Sequence, residues 1–263
     1  MALLSDYTTG QWGMVTTRQA LSLGVDDVTL HRLRAAGLLE TVRHGVHAVT
    51  SSPSSEARPE QAAWLSLHPD AAAWERPKLD PDGGVISHRS AARLHGLGDL
   101  PASGIEMTVP RRRTMRDPSV RLRRAELTDA DVTTLDGLPV TTPMRTIRDL
   151  LAQHTDASHV ATMIRQAVLT GQASLEEVPD EIAPYARRYG VTAGDGNELF
   201  AQLLAQIGVS PEELATRSRQ WGDLQGRLWA GLEHKAITWG QLANASPELA
   251  RRLLAALPDK EDE

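Results

Sequence analysis

Apolar positions in the first fifty residues fall into two short helical stripes followed by two β-type runs. Ala20, Leu21 and Leu23 mark a segment from Thr17 to Leu23 that reads as a short helix, and Gly24 breaks it. Val28, Leu30, Leu33 and Ala36 recur at helical spacing after Asp26 and Asp27, either of which can cap a second helix that Gly37 stops. Two runs from 38 to 42 and from 46 to 49, joined by Arg43-His44-Gly45, have the pattern of a hairpin. Helix, tight turn, helix and hairpin predict a winged helix-turn-helix, whose second helix lies in the DNA major groove while the wing touches the backbone.

Residues 50 to 58 are rich in Ser and Pro and read as a boundary. Beyond it, residues 60 to 67 can be helical, 77 to 84 form a loop, and Ser87 can cap a helix from His88 to Leu94 closed by Gly96. Strands are predicted at 105–109, 120–124, 132–135 and 138–141, the last two around Asp136-Gly137, a strong hairpin signal. Thr142-Pro143 then starts a helix to about Gln153, with threonine as cap and proline at the first helical position. From Ala157 onward helical patterning dominates: Val160, Met163, Ile164, Ala167 and Val168 form one stripe, and Gly171 ends it. Ser210-Pro211-Glu212-Glu213 is a capping box, and Ser246-Pro247-Glu248 repeats the cap-and-proline start before Leu249 to Leu257. The predicted fold class is α+β: a winged helix-turn-helix at 1–50, a mixed α/β domain at 51–155 and a helical C-terminal region at 156–263.

The length of 263 residues suits about two domains at roughly 100–200 residues each. No apolar run reaches membrane-spanning length, so no membrane partner is expected. The N-terminus lacks a basic, cleavable leader and the chain has no cysteine, which predicts a cytoplasmic protein and closes thiol catalysis, Cys-ligated zinc and iron–sulfur chemistry. A net charge of −6 runs against phosphate binding, but the average hides a patch. Residues 111–124 hold Arg111, Arg112, Arg113, Arg116, Arg121, Arg123 and Arg124 against the single acid Asp117. Such a segment attracts any polyanion, while the alternation of Val120 and Leu122 with Arg121 and Arg123 equally fits an ordinary strand with one wet face. No aromatics interleave it, which argues against stacking of single strands.

The candidate DNA contacts are Thr16, Thr17 and Arg18 at the start of the first helix, Thr29, His31 and Arg32 on the second, and Arg43 and His44 in the wing. Leu30 and Leu33 should face the core. A recognition-helix arginine can pair bidentately with guanine, whereas a wing arginine positions the protein on phosphate. His88 with His95 and His44 with His47 lack the spacing of a metal-protease helix, so no metal is expected. Ser87 and Ser90 beside His88 lack a nucleophile elbow, leaving Ser87 as a helix cap and His88, Arg89 and Ser90 as candidates for bonding the helix to the sheet. Trp221, Trp229 and Trp239 could build a docking surface, although core packing of a helical bundle explains them better. Phosphate-loop and dinucleotide fingerprints are missing, so no cofactor is expected.

Three motifs carry a family resemblance. They are Gly13-Met14-Val15-Thr16-Thr17-Arg18-Gln19-Ala20 with Gly24-Val25, Arg32-Leu33, Gly37-Leu38-Leu39 and Val42-Arg43-His44-Gly45-Val46; Ser87-His88-Arg89-Ser90-Ala91-Ala92 with Leu94-His95-Gly96; and Gly137-Leu138-Pro139-Val140-Thr141-Thr142-Pro143 with Arg145-Thr146 and Asp149-Leu150. In this order they resemble the AbiEi-type antitoxin family of type IV toxin–antitoxin systems, over about residues 11 to 152. The resemblance implies a non-enzymatic repressor that binds a promoter inverted repeat in double-stranded DNA and a second domain that counteracts a nucleotidyltransferase-like toxin. Asp26 and Asp27 depart from a phosphate-friendly pattern; they favour the helix dipole, and a carboxylate there could instead accept from a cytosine amine. Operator, toxin and the choice between monomer and dimer stay open. One alternative is a protein-binding toxin neutraliser with little DNA binding. Another is a metal-dependent nuclease, since some proteins with a similar N-terminal half carry a Vsr-like domain and Asp223 precedes Glu233-His234-Lys235 here. Leu224, Leu228, Trp229 and Leu232 recur at helical spacing around those residues, which fits a solvated helix better than a nuclease sheet.

Overall fold

The computed structural model describes residues 2–101, 104–233 and 246, and the described chain divides into two compact units at Asp149/Leu150. The first begins with α1 (Ser5–Gly10), β1 (Met14–Thr16), α2 (Thr17–Ser22) and α3 (Asp27–Ala35). The hairpin of β2 (Leu39–Arg43) and β3 (Val46–Val49) follows. The three strands form an antiparallel sheet in the order β1-β3-β2, the topology of a winged helix-turn-helix. Period-two alternation gives this sheet two apolar faces. Val15, Leu39 and Val49 pack with Ala20, Val25 and Leu30 from α2, the turn and α3. Met14, Val46 and Ala48 point the other way, into a second cluster.

That second cluster is organised by α4 (Arg58–Leu67). Glu60, Gln61, Ala62, Ala63, Trp64, Leu65 and Leu67 are all buried, so the helix shows no single apolar stripe and lies between two sheets. The second sheet comprises β4 (Val85–Ile86), β5 (Ile105–Val109), β6 (Val120–Arg124), β7 (Val132–Leu135) and β8 (Leu138–Thr141), in the order β6-β5-β4-β8-β7. Between β4 and β5 runs α5 (His88–Leu94), and α6 (Pro143–Ala152) follows β8. Ile86, Met107, Val109, Leu138 and Val140 present one face of the sheet to α4. The winged helix and this sheet thus share a core. Polar ties reinforce it: the Trp12 indole donates to the Asp136 carbonyl (2.7 Å), and Arg58 pairs with Glu40 (2.7 Å).

The second unit is helical. It contains α7 (Ala157–Leu169), α8 (Val178–Ile182), a 3-10 segment Ala183–Tyr189, α9 (Gly196–Ala205) and α10 (Pro211–Glu233). The expected stripe on α7 is buried in full, and α9 contributes Leu199, Phe200, Leu203 and Leu204. The capping box at Ser210 is present in both directions: Ser210 Oγ accepts from the Glu213 amide (3.1 Å) and Glu213 accepts from the Ser210 amide (3.0 Å). Asp223 and Glu233 lie on α10, a helix rather than a strand. His234, Lys235, Trp239, the segment from Pro247 to Leu257 and the acidic tail lie outside the described residues. No helix among the described residues is long and apolar enough to cross a membrane.

Candidate nucleic-acid interface

The turn between α2 and α3 depends on Gly24, whose φ of +82° is a left-handed conformation open to glycine at little cost. Asp26 caps α3 by accepting from the Thr29 amide (2.8 Å), and the hydrogen bonds from Thr29 hold its carboxyl below the usual range. Capping therefore occupies one oxygen of Asp26, while Asp27 is exposed. Leu30 is buried and Leu33 packs beside it, as the spacing predicts. The opposite face of α3 is left with Val28, Thr29, His31 and Arg32, all exposed. Arg32 has no ion pair among the described residues. A bare face of this composition on the second helix of a helix-turn-helix can offer guanidinium, imidazole, hydroxyl and methyl groups to base edges.

The first helix behaves differently. Thr16 is fully buried and forms the capping box of α2: its hydroxyl accepts from the Gln19 amide (3.0 Å), and Gln19 Oε1 accepts from the Thr16 amide (2.9 Å). The same hydroxyl donates to the Pro69 carbonyl (2.5 Å). Thr16 is thus spent on structure, and the expectation that it touches DNA is corrected. Thr17 is half-buried, with its hydroxyl 3.1 Å from His47 Nε2, and its amide donates to the Gly45 carbonyl (2.9 Å), tying α2 to the wing. Arg18 is exposed; its nearest acid, Asp70, is 3.9 Å away and equally exposed, a pair that holds it only weakly.

At the wing, His44 is exposed and Gly45 adopts φ +76° to make the tight turn. The register of β2 against β3 shifts between Thr41 and Arg43, a bulge that bends the strand. Arg43 does not reach into solvent. Its side chain is 9% exposed, pairs with Asp117 at 2.6 Å and donates to Ser119 Oγ at 3.3 Å. The wing arginine, expected at phosphate, is in this structure clasped by the loop before β6. His47 on β3 is buried, which pushes its imidazole down, and sits between the hydroxyls of Thr17 and Thr41.

The arginine-rich segment divides in the same way. Arg111 pairs with Asp82, Arg113 donates to the carbonyls of Leu67 (2.9 Å) and Asp82, and Arg123 pairs with Glu106 (3.0 Å). Arg112, Arg116, Arg121 and Arg124 are exposed and have no ion pair among the described residues. Arg116 and Arg121 flank the Asp117–Ser119 clasp in sequence, whereas Arg124 pairs with Val109 at the other end of β6.

In the motif at Ser87, Ser87, His88, Ser90, Ala91 and Ala92 are buried. Ser87 stands at the cap position of α5 yet caps nothing; its hydroxyl accepts from Thr108 Oγ1 (2.9 Å) and lies 2.9 Å from His88 Nδ1. The capping comes from Glu106 on β5, which accepts from the Arg89 amide (3.0 Å), while the Glu106 amide donates to Ser90 Oγ (3.0 Å). These bonds fasten helix to sheet. His88 is buried, which lowers its pKa, and has φ +54°, unusual for a side chain other than glycine. His95 Nε2 bonds the Thr141 carbonyl (2.7 Å), and burial pushes its imidazole down. Among the described residues no group of three or more His, Cys, Asp or Glu side chains is placed to hold a metal ion.

Comparison with known proteins gives two family matches. Residues 8–50 match the model described as "Transcriptional regulator, AbiEi antitoxin", and residues 84–194 match "AbiEi antitoxin C-terminal domain". No curated protein matches the chain. One similar solved structure is that of the RV2827C protein from Mycobacterium tuberculosis, at 17% identity and a TM-score of 0.45, covering 83% of this chain and 81% of that one.

Proposed function

Because the chain belongs to the AbiEi antitoxin family, whose two models between them match more than half of it, we propose that this antitoxin-type regulator is a cytoplasmic, non-enzymatic repressor of its own promoter. In this reading α3 enters the major groove of an inverted repeat in double-stranded DNA. Arg32, His31 and Thr29 face the bases, and Thr17, Arg18 and His44 lie at the flanking backbone. The free arginines Arg112, Arg116, Arg121 and Arg124 extend the cationic track, so bound protein blocks the promoter by occupying it. The proposed division of labour assigns DNA to residues 1–50, a structural and antitoxin role to 51–155 and further contacts to 156–263. The partner counteracted is a nucleotidyltransferase-like toxin.

The observation that carries this reading is the exposed Val28–Arg32 face of α3, backed by buried Leu30 within a three-stranded winged sheet. A net charge of −6 does not oppose it, because the acids that pair with Arg43, Arg111 and Arg123 leave Arg32 and four patch arginines unneutralised. The test is a titration of the upstream duplex by fluorescence anisotropy across salt concentrations. Affinity should fall linearly on logarithmic axes as salt rises. Binding that ignores salt, or no binding with toxin neutralisation intact, overturns the repressor reading and favours a protein-binding neutraliser.

A further inference from the structure

Among the large apolar side chains that remain exposed in the described residues, Val28 is the one on α3, at 57% exposure. A single exposed valine would be unremarkable elsewhere. Here it sits in the first turn of the recognition helix, four residues before Arg32, so both side chains project from one face. Valine is a weaker helix former than the straight-chain residues, and Val28 is not part of the core cluster that Leu30 and Leu33 join. Its neighbours sharpen its chemistry. Asp26 and Asp27 place carboxylates at this turn, where a close phosphate would be repelled, so the turn suits the groove floor rather than the backbone. A methyl-bearing side chain at the groove floor has one apolar partner among the unmodified bases, the 5-methyl group of thymine.

We propose that Val28 is a specificity-determining residue that reads a thymine methyl, an inference that rests on the DNA-binding reading above. The geometry also sets the spacing. Four helical residues rise about 6 Å, and successive base pairs about 3.4 Å, so the thymine lies about two base pairs from the guanine paired with Arg32.

The experiment selects duplexes from a random library with the full chain, then replaces each thymine of the selected site by deoxyuridine, which lacks only the methyl. One thymine per half-site should lose about fourfold in affinity on this replacement, the worth of one buried methyl-sized group. Val28→Ala, which withdraws both γ-methyls and leaves only the shorter β-methyl, should lose most of the preference for thymine over deoxyuridine, and Val28→Thr, which retains one γ-methyl and the branch, should restore part of it. If every deoxyuridine duplex binds the wild type as tightly as its thymine parent, while Arg32→Ala still weakens binding, the methyl reading is overturned and DNA recognition stands. A Val28→Ala protein that prefers thymine as strongly as the wild type overturns it equally. If no duplex is selected at all, the repressor reading falls and this inference with it.

Discussion

Two helices inside the family's matched segments, α3 and α5, put similar residue types to opposite uses. On α3, Thr29, His31 and Arg32 are exposed. On α5, His88 and Ser90 are buried and, with Ser87, bonded to one another or to β5. A Ser-His-Arg-Ser string suggests chemistry in sequence, yet in the fold Ser87, Ser90 and the Arg89 amide are bonded internally and fasten a helix to a sheet. The barer string on α3 is the one free to recognise something else. Burial and hydrogen-bond partners, more than residue identity, separate a binding face from a joint.

Removing the joint should have the larger effect. Glu106 is buried, caps α5 through the Arg89 amide and pairs with Arg123. Glu106→Ala removes the acceptor of the Arg89 amide and the charge facing Arg123, at a cost of roughly 1–3 kcal/mol; the lost cap dominates, because Arg123 is 39% exposed and water screens its pairing. Urea denaturation reads this directly, and a loss below about 1 kcal/mol would show that the motif is not a structural joint. The corresponding change on the open face, Arg32→Ala, should move stability by no more than about 0.5 kcal/mol. It should weaken duplex binding about tenfold to a hundredfold, as expected for one lost bidentate base contact. An Arg32→Ala protein that unfolds early, or binds as tightly as its parent, would erase the contrast between the two helices.

Much of this architecture is legible in sequence, for identifiable reasons. The stripe of α7, the cap-and-proline start of α6 and the Asp136-Gly137 hairpin are local patterns, and each appears where the spacing places it. By contrast β1 and β4 are three and two residues long, too short to show a period, and α4 is buried on all sides, so it lacks an amphipathic stripe. The candidate site divides similarly. The exposed face of α3 follows from the positions of Leu30 and Leu33. Thr16 and Arg43 are removed from it by partners 53 and 76 residues away, Pro69 and Ser119, with Asp117 beside the latter. Ser87 looks like a cap because Glu106, the residue that does the capping, lies on another strand.

A smaller effect should follow pH. Burial lowers the pKa of His47, His88 and His95, so each resists protonation in the folded chain while the unfolded chain accepts protons below about pH 6.5. Their contribution is therefore complete above that pH and declines as pH falls below it, because the unfolded state then binds more protons. The melting temperature should drop between pH 7 and pH 5. His95→Gln, which keeps a donor for the Thr141 carbonyl, should flatten part of that slope. A melting temperature constant across this range would contradict the buried, neutral state of all three rings.

The smallest expected effect concerns the wing, which lies between the two extremes. Arg43 belongs by sequence to the open face and by contact to the closed one, since Asp117 and Ser119 hold it. The clasp is shallow, because Asp117 is itself 38% exposed, and a phosphate could compete for the same guanidinium. Asp117→Asn removes the competing charge while keeping the side chain's size. If Arg43 can swing to DNA, affinity should rise about twofold to fivefold, and the logarithmic salt slope should steepen by about one phosphate contact. Arg43→Ala in the Asp117→Asn background should then cancel both gains. Lower affinity on Asp117→Asn would mean instead that the clasp positions the wing for binding, and an unchanged slope would leave Arg43 on the structural side of the comparison.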